Sequence, residues 1–590
     1  MHESSKLKRY SVYNRIAIGV VFLLLIAALM NLQIFNYEKY AEISKNNYVR
    51  KKILKPIRGE IYDRNYEPIA INKPAYNLYI KPGMIKDKKK VLDFMAMIFP
   101  GERKIASQII YNNRFYQYRE ILLFQDLEWE QILKISESNN YFPELVVKAE
   151  NKRKYIYKNH FTGYVSNIND LEYKKLKKND YFLNDIIGKN GLEKQYESIL
   201  RGKTGKRIIQ VNSKGKNLKL FKKNHIIKAQ NGKNLILTVN NKLQQYAAKI
   251  FPGDKNGALL LINANNGEIL CYFSNPRYDP NIFSRDITTK EWQNLINDQT
   301  KPMLDRCING TYPPGSVYKP VVACLGLEDD LINLQTKLTA CDGGMQIGNR
   351  YFKCWLDSGH GRLNVIDALK YSCDVFFYDL SLKFSLKSMR NFTRDNCLLE
   401  KTGIDLPAER QGFFPTTTWY RSNYGRYSSI KGHKVNLSIG QGEILVTPLQ
   451  ICSYYAALAN DGVWIQPHLL KKITGKSDSS FIPQTRKLPV SDKNLDIIKK
   501  SLYKTVNESY GTGTIASSKF LTIYGKTGSA ENYMSDTTHA WFSGFASIDS
   551  QNIAFTVFIE QGGHGGSNAG PLAKEILEYY HTILNKDRND

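Results

Sequence analysis

One uninterrupted apolar segment near the N-terminus constrains this 590-residue chain more than any other feature. Residues 16–35 contain no charged side chain, and a helix of that length, at about 1.5 Å per residue, spans the roughly 30 Å hydrocarbon layer of a membrane. The alternative is a cleaved signal peptide, but the segment continues into NYEKY without a small-residue cleavage site. We therefore predict a cytoplasmic tail over residues 1–15 and a transmembrane helix over residues 16–35.

The charges that flank this segment predict its orientation. Lys6, Lys8, Arg9 and Arg15 precede it, and positive flanks stay on the cytoplasmic side of a membrane. The sequence contains no second apolar segment of this length. We therefore expect a single-pass protein with everything after about residue 36 outside the cytoplasm.

The chain carries a formal net charge of +28, from 83 Lys and Arg against 55 Asp and Glu. Such an excess suits nucleic acid, anionic lipid or an acidic wall polymer, and charge alone does not choose among them. The lysines are spread along the whole sequence, so a solvated surface is the other interpretation. The sequence contains no nucleic-acid-binding module, and the predicted topology also argues against a nucleic-acid partner.

Composition divides the remainder of the chain into two parts. More than one domain is expected, because the chain is too long to fold around a single hydrophobic core. Residues 36–230 are rich in Tyr, Asn and Lys, with short apolar runs at 145–147 and 208–211 that predict strands. We interpret this part as a non-catalytic domain. Residues 231–590 begin with a predicted strand at 234–239 and a predicted helix at 243–250, and become richer in glycine, serine and aromatic residues.

Serine acyl transfer requires an activated hydroxyl, a proton acceptor, a proton donor for the leaving group and an oxyanion pocket. An S-x-x-K pattern on a helix places the lysine one turn from the serine. The pattern occurs five times and is weak evidence by itself: Ser5/Lys8, Ser213/Lys216, Ser316/Lys319, Ser428/Lys431 and Ser501/Lys504. Only Ser316 follows a chain-breaking Pro-Pro-Gly and precedes an apolar helix, predicted at 321–327. This context places Ser316 in a first helical turn, where unpaired amides favour an oxyanion.

Two further motifs follow in order, SCD at residues 372–374 and KTGS at residues 526–529. The run at 521–524 predicts a strand, and residues 539–542 predict its neighbour. A second KTG at 401–403 is followed by IDLP, which predicts a loop, so we interpret this copy as a decoy. The S-x-x-K, SCD and KTGS motifs, in this order, resemble the active-site triplet of the penicillin-binding transpeptidases and serine β-lactamases.

The resemblance implies a role for each residue of the S-x-x-K motif. Ser316 would be the nucleophile that attacks the carbonyl of a D-alanyl-D-alanine stem peptide. Lys319 would be the base, and burial together with the nearby positive charge of Lys526 would keep it partly neutral.

The resemblance also assigns the other two motifs. Ser372 would pass a proton to the departing D-alanine, and Asp374 stands where many relatives carry asparagine, so its protonation state is open. Lys526 and Thr527 would hold the substrate carboxylate, and Gly528 would leave room for its approach. The backbone amides of Ser316 and Ser529 would form the oxyanion hole.

Further motifs resemble the class B, monofunctional high-molecular-weight penicillin-binding proteins over nearly the whole chain. They are RGEIYDRN at 58–65, residues 160–164, the glycine-bounded segment 188–205, IGQG at 439–442 and TPLQ at 447–450. Membership implies an α+β fold with one transmembrane helix, an elongated pedestal of the dimerisation type over residues 36–230, and a transpeptidase domain over 231–590. That domain would have an antiparallel sheet flanked by helices, with the edge at 526–530 binding peptide by strand addition.

Within class B the chain most resembles the elongation enzymes of rod-shaped Gram-negative cells. This resemblance implies an inner-membrane protein with a periplasmic catalytic domain, peptidoglycan stem peptides as substrates and β-lactams as inhibitors. It also implies a SEDS-family glycan polymerase and elongation scaffold proteins as partners. The alternatives are the related division transpeptidases and, from another class, a penicillin-responsive sensor or a silent scaffold; β-lactamases and sensors lack the pedestal.

Three of the eight cysteines cluster with a histidine in the pattern Cys341-x12-Cys354-x5-His360-x12-Cys373. Three thiolates and one imidazole form a closed tetrahedral set for a structural Zn²⁺, and this segment also resembles a zinc-binding loop of some elongation enzymes. Free or disulfide-bonded thiols are the alternative, since the predicted compartment is oxidising. The other five cysteines lie in apolar surroundings and are predicted to be core residues: Cys271, Cys307, Cys324, Cys397 and Cys452.

Overall fold

The computed structural model of the chain describes residues 2–41, 49–115, 120–183, 185–211, 217–220, 226–285, 287–425, 429–475, 480–532 and 535–589. Two of the S-x-x-K copies, Ser213/Lys216 and Ser428/Lys431, lie wholly or partly outside these residues. Packing divides the chain into two compact units. The first contains Met1–Ile57, Pro74–Asn151 and Gly202–Asn231, and the second contains Arg58–Lys73, Lys152–Arg201 and Gly232–Asp590.

The N-terminal segment forms one helix, His2–Met30, which continues into a π-helical turn at Asn31–Phe35. Its apolar stretch, Tyr10–Phe35, has a mean hydropathy of 2.5 and contains the predicted span 16–35. Among the described residues this is the one helix that is long and apolar enough to cross a membrane. Its length and composition are typical of a single-pass membrane anchor.

The first unit combines a small antiparallel sheet with an α/β core. In the sheet, Val49–Leu54 and Ile226–Ile227 both pair with Gly205–Val211, which also pairs with Asn217–Leu220. The predicted strands at 145–147 and 208–211 are confirmed within Leu145–Tyr155 and Gly205–Val211. Strand Ile121–Phe124 and the helices Lys88–Ile98, Arg103–Asn112 and Trp129–Glu137 complete the unit.

The division into units differs from the single boundary that the sequence predicted at residue 230. Residues 58–73 and 152–201, expected in the pedestal, pack within the second unit. Both segments contact later residues of that unit: Asp63 Oδ2 accepts from the Asn241 amide at 3.0 Å, and Tyr196 Oη donates to Asp405 Oδ2 at 2.8 Å. A buried ion cluster, in which Glu193 accepts hydrogen bonds from Arg58 and Arg153 at 2.7 Å each, joins the two segments to each other. Strand Ile61–Tyr62 also pairs with Leu235–Leu237 and with the first residues of Pro68–Ile80.

A five-stranded antiparallel sheet forms the centre of the second unit. Its spatial order is Ile269–Asn275, Gly257–Asn263, Gln551–Ile559, Ser535–Ile548 and Thr522–Asn532. The predicted strand at 521–524 and its neighbour at 539–542 are confirmed as the last two, with Lys526 opposite Ser543 and Ala530 opposite His539. The KTGS motif therefore lies on an edge strand.

Helices cover both faces of this sheet. Leu259 and Leu261 pack with Asn241–Ile250 and Gly570–Asn589, whereas the alternate residues Ala258 and Leu260 pack in the core that contains Lys319–Glu328 and Pro448–Ala459. This two-residue alternation explains why strand Gly257–Asn263 is buried at every position. An α+β fold with an antiparallel sheet flanked by helices is thereby confirmed.

The remaining elements of the second unit are short. Paired strands are Val165–Asn167 with Ile186–Gly188, Gly344–Ile347 with Arg350–Lys353, and Val463–Ile465 with Thr485–Lys487, and strand Leu470–Ile473 pairs with Leu235–Leu237. The helices are Asp170–Leu176, Gly191–Gln195, Glu197–Leu200, Thr289–Asn297, Val365–Lys370, Asp374–Leu382, Leu386–Asp395, Thr417–Tyr424, Ile430–Ser438 and Asp492–Asn507.

Candidate active site

Ser316 lies in a tight turn that two glycines make possible. Its 3₁₀ turn, Gly315–Tyr318, leads directly into helix Lys319–Glu328, so the serine precedes the α-helix that was expected to contain it. Gly315 (φ +56°) donates its amide to the Gly440 carbonyl at 2.9 Å. A Cβ on Gly440 (φ +72°) would lie 2.2 Å from the Gly315 oxygen. The backbone segments at Gly315 and Gly440 therefore approach each other at a distance that only glycine permits.

Lys319 begins the helix one turn after Ser316 and is completely buried. Its Nζ donates to Asp374 Oδ1 at 2.7 Å, to the Ser372 carbonyl at 2.7 Å and to Ser372 Oγ at 3.2 Å. These three acceptors match the three protons of an ammonium group.

Ser372 occupies the junction between helices Val365–Lys370 and Asp374–Leu382, with φ +55°. Asp374, the first residue of the second helix, accepts hydrogen bonds at Oδ1 from Lys319 and at Oδ2 from the Trp355 amide, the latter at 3.0 Å. Burial raises the pKa of the Asp374 carboxyl, and the Lys319 charge opposes that shift. Its carboxylate is thus held between the lysine and a loop residue that follows Cys354.

Lys526 is also fully buried, and its Nζ donates to the Thr527 carbonyl at 3.0 Å. Burial and the charge of Lys319 lower the pKa of Lys526 well below its usual value, with Asp374 acting in the opposite direction. The two amines therefore share one electrostatic environment. Thr527 Oγ1 donates to Thr512 Oγ1 at 2.8 Å.

Gly528 and Ser529 place the edge strand directly against the serine turn. A Cβ on Gly528 would lie 3.1 Å from both the Pro314 oxygen and Val317 Cγ1. The Ser529 carbonyl accepts a hydrogen bond from Gln441 Nε2 at 3.0 Å, and its Oγ accepts one from the Gly565 amide at 3.4 Å. The motifs at 316–319, 372–374 and 526–529 therefore form one continuous site, although their catalytic roles stay predictions.

Sequence reasoning missed two polar residues of this site. Thr512, which contacts Thr527, lies in the glycine-flanked tripeptide Gly511-Thr512-Gly513, and that pattern was the available signal. Gln441 was noted within a family motif without a role, but it supports the Ser529 carbonyl and accepts from the Glu531 amide at 3.0 Å. Both act on the edge strand from segments remote in sequence.

The structure also brings together the four predicted metal ligands. The ligand atoms of Cys341, Cys354, His360 and Cys373 all lie within 4.8 Å of one another. The sulfurs of Cys341 and Cys354 are each 3.6 Å from His360 Nδ1, and all eight cysteines are free thiols. The five cysteines predicted as core residues are buried, as expected.

These distances fit a tetrahedral metal ion. With Zn–S of about 2.3 Å and Zn–N of about 2.1 Å, sulfur and nitrogen ligands lie about 3.6 Å apart. The hydrogen bond from the Cys373 thiol lowers the pKa of the Cys354 thiol, against the opposing effect of burial. Cys354 Sγ also accepts from the Asp374 amide at 3.4 Å. The cluster is one residue from Ser372 and could hold a metal ion.

The fold and the grouped side chains define a serine-dependent acyl-transfer domain. The sequence model of the penicillin binding protein transpeptidase domain matches residues 257–578, and that of the penicillin-binding protein dimerisation domain matches residues 53–237. The chain belongs to the class B penicillin-binding proteins with a transpeptidase domain.

Two curated relatives are similar over nearly their full lengths. The peptidoglycan D,D-transpeptidase MrdA of Haemophilus influenzae is 31% identical, across 95% of this chain and 90% of its own. The protein of the same name from Escherichia coli strain K12 is 30% identical, across 97% of this chain and 94% of its own.

Solved structures agree with this assignment. Helicobacter pylori penicillin-binding protein PBP2, in its complex with MreC, has a TM-score of 0.80 and 28% identity, across 91% of this chain and 99% of that one. Pseudomonas aeruginosa PBP2 in complex with WCK 5153 has a TM-score of 0.68 and 26% identity, across 90% and 96%. The similarity therefore extends to the penicillin-binding protein 2 group.

Proposed function

We propose that this chain is a peptidoglycan D,D-transpeptidase that cross-links stem peptides during cell elongation. One observation carries the proposal: Ser316, Lys319, Ser372 and Lys526, which are far apart in the sequence, share one site. The full-length similarity to proteins named peptidoglycan D,D-transpeptidase MrdA supports the same activity.

The reaction begins when Ser316 Oγ attacks the carbonyl of the penultimate D-alanine. Lys319, after passing a proton to Asp374, accepts the hydroxyl proton, and the amides of Ser316 and Ser529 stabilise the oxyanion. Ser372 relays the proton from Lys319 to the departing D-alanine amine. An amine of a second stem peptide then attacks the acyl-enzyme, forms the cross-link and returns the serine.

The edge strand orients the donor peptide. The ammonium of Lys526 and the hydroxyl of Thr527 bind the terminal carboxylate, and the peptide lies antiparallel to strand Thr522–Asn532. A β-lactam, whose carboxylate and strained amide resemble the same ending, acylates Ser316 and blocks the site.

Mass spectrometry of the intact protein after treatment with benzylpenicillin tests the nucleophile. We expect one adduct, mapped to Ser316, and none on the Ser316→Ala protein; acylation of that variant would refute the assignment. A cross-linking assay with lipid-linked substrate excludes a penicillin sensor, which would acylate without joining two stems. Depletion that gives round cells supports elongation, whereas filaments would indicate division.

We also assign the chain to the bacterial inner membrane, with residues 1–15 in the cytoplasm and the catalytic domain in the periplasm. The positive residues before the apolar helix support this orientation. Protease added to spheroplasts should digest the chain after residue 36, and protection of that part would contradict the topology.

The partners we propose are a SEDS-family glycan polymerase and scaffold proteins of the elongation machinery. A structural relative is described in a complex with MreC, and another in a peptidoglycan synthase complex that couples polymerisation to cross-linking. Co-reconstitution with the polymerase should raise the fraction of cross-linked stems. An unchanged fraction, at equal glycan synthesis, would count against this partner.

We further propose that Cys341, Cys354, His360 and Cys373 bind one structural Zn²⁺. When bound, the ion would cross-link the loop that contains Trp355, whose amide holds Asp374 beside Lys319. Elemental analysis should find about one zinc per chain. Cys341→Ser should lose the zinc and lower the Tm, whereas Cys397→Ser, which changes a buried cysteine outside the cluster, should retain it. A metal-free protein with full activity would refute the proposal.

A further inference from the structure

The side chain of Gln441, in the IGQG segment at 439–442, makes two hydrogen bonds to the edge strand of the central sheet. Its Nε2 donates to the Ser529 carbonyl and its Oε1 accepts from the Glu531 amide, both at 3.0 Å. A residue of a parallel neighbouring strand makes the same pair of contacts, to a carbonyl and to an amide two residues further on. Gln441 therefore supports the edge strand as an additional strand would.

These two contacts lie where the regular pairing of the edge strand is interrupted. The register with the neighbouring strand shifts between Ala530 and Asn532, which is the position of Glu531. Interruptions of this kind bend a strand and redirect its groups. The position of Ser529 therefore depends on the contact with Gln441 as well as on the sheet.

The residue before Gln441 holds the turn that contains the proposed nucleophile. The Gly440 carbonyl accepts the Gly315 amide at 2.9 Å, and Gly315 directly precedes Ser316. A Cβ on Gly315 would lie 2.9 Å from the Ser529 oxygen. The dipeptide Gly440-Gln441 thus bonds to the residue before Ser316 with its backbone and to Ser529 with its side chain.

Ser316 and Ser529 are the residues whose amides form the proposed oxyanion hole, and they come from segments remote in sequence. An oxyanion hole is effective because its donors are held in place before negative charge develops. A carbonyl oxygen has two lone pairs, so the Ser529 carbonyl can accept from Gln441 and still accept from a donor peptide. The contact with Gln441 is therefore compatible with a bound substrate.

We propose that Gln441 is a positioning residue for the oxyanion hole. By holding the Ser529 carbonyl, it fixes the Ser529 amide at the distance from the Ser316 amide that the tetrahedral intermediate requires. Gly440 holds the other side of the hole through Gly315. This inference rests on the proposed transpeptidase function, because that reaction supplies the oxyanion.

The test is saturation kinetics of acylation by benzylpenicillin, measured by stopped-flow on the full-length protein. Gln441→Met keeps the length of the side chain and removes both hydrogen bonds. Since the negative charge develops only in the transition state, a displaced donor should slow acylation without weakening the initial complex. We expect the limiting rate constant to fall about 10-fold, less than the 10²- to 10³-fold cost of losing an oxyanion donor. The apparent dissociation constant should change less than about twofold.

Gln441→Glu separates the two hydrogen bonds. A carboxylate can still accept from the Glu531 amide, but it has no proton to donate to the Ser529 carbonyl. The limiting rate constant should therefore fall at least as far as in Gln441→Met, because the contact with Ser529 is lost in both.

Gln466 provides a matched control, because its side chain makes the same two kinds of contact elsewhere. Its Nε2 donates to the Gly403 carbonyl, and its Oε1 accepts from the Gln484 amide at 3.1 Å. Gln466→Met should lower the Tm by an amount similar to Gln441→Met and leave both acylation constants within about twofold of wild type. Rates are scaled to the fraction of protein that finally carries the adduct, so that unfolded protein does not count.

Three results would overturn the proposal. They are a wild-type rate constant in Gln441→Glu, a change confined to the dissociation constant in Gln441→Met, and equal slowing in Gln466→Met. A wild-type protein that benzylpenicillin does not acylate would instead refute the proposed function.

Discussion

The tripeptide Lys-Thr-Gly occurs twice in this chain, and the two copies have opposite environments. In the first, Lys401 and Gly403 are exposed and Thr402 is buried. In the second, Lys526 is completely buried and Thr527 almost so, on the edge strand of the central sheet. Identical residues thus occupy a loop in one place and the edge strand of the central sheet in the other.

Acidic side chains explain the first environment. Glu409 accepts hydrogen bonds from the Thr402 amide and hydroxyl at 2.7 Å each, and from the Gly403 amide at 3.0 Å. Asp405 accepts from the Leu469 and Leu470 amides at 2.7 and 2.9 Å. The amide and hydroxyl of Thr402 and the amide of Gly403 are thus satisfied inside the protein, and this copy stabilises a loop.

In the second copy, fewer of the hydrogen-bond donors have an acceptor within the described part of the protein. Among the described residues, Lys526 Nζ donates a hydrogen bond to one acceptor, the carbonyl of Thr527, although an ammonium has three protons. Within the described part of the chain, the strand that contains Lys526 pairs with another strand on one side only. The comparison indicates that unused hydrogen-bonding capacity, rather than the tripeptide itself, distinguishes the copy at the proposed active site.

The largest expected difference between the copies is in acylation. Lys526→Ala removes the cation proposed to bind the substrate carboxylate, so the second-order rate of acylation by benzylpenicillin should fall about 10²- to 10³-fold. Lys401→Ala, which removes an exposed charge, should change it less than about twofold. Stopped-flow fluorescence measures both rates, and equal losses would contradict the distinction between the copies.

The two threonines should separate stability from activity. Thr402→Val deprives the buried Glu409 carboxyl of a donor, so it should lower the free energy of unfolding by about 1–3 kcal/mol and leave acylation unchanged. Thr527→Val should instead slow acylation about 10-fold, because it removes the hydroxyl that we propose binds the substrate carboxylate. Urea titration and penicillin kinetics on each variant measure these effects. A Thr402→Val protein of unchanged stability would show that the loop hydrogen bond is dispensable.

Burial of the Lys526 amine should lower the free energy of unfolding by an amount that depends on pH. The folded-state pKa of Lys526 is depressed below its usual value of 10.5. Between the folded-state pKa and 10.5, the unfolded chain therefore binds more protons than the folded protein, so the free energy of unfolding rises with pH in that range. Lys526→Met should therefore raise the free energy of unfolding by about 1–2 kcal/mol at pH 7. The gain should shrink as the pH approaches 10.5, and a gain independent of pH would indicate a packing effect.

Sequence motifs predicted which residues come together in the candidate site, whereas the contacts that divide the chain into two packing units could not be read from the sequence. Motif order and context distinguished Ser316 from the other S-x-x-K copies, and one of these, Ser501, is indeed a buried helix residue that donates to the Ile497 carbonyl at 2.8 Å. The spacing of cysteines also predicted four ligands that meet. Each of these predictions rests on a short sequence motif, or on the order and spacing of a few motifs.

What the sequence did not reveal depends on contacts between remote segments. Residues 58–73 and 152–201 pack within the second unit through contacts such as the hydrogen bonds from the Asn241 amide to Asp63 and from Tyr196 Oη to Asp405. Thr512 was missed for the same reason, since only folding brings it to Thr527. The start of the α-helix at Lys319 instead of Ser316 reflects the backbone of Gly315 and the proline at position 320.

The glycine of the first copy provides the smallest expected effect. Gly403 has φ +71°, a conformation that costs an L-residue about 1 kcal/mol, and the atom nearest to an added Cβ is the flexible end of Gln466 at 3.0 Å. Gly403→Ala should therefore lower the free energy of unfolding by about 1 kcal/mol and leave acylation unchanged. Gly253→Ala, where an added Cβ has no neighbour within 4 Å and φ is not positive, is the matched control. Slower acylation of the Gly403→Ala protein would show that the first copy affects the proposed active site. The distinction between a structural and a reactive Lys-Thr-Gly would then be wrong.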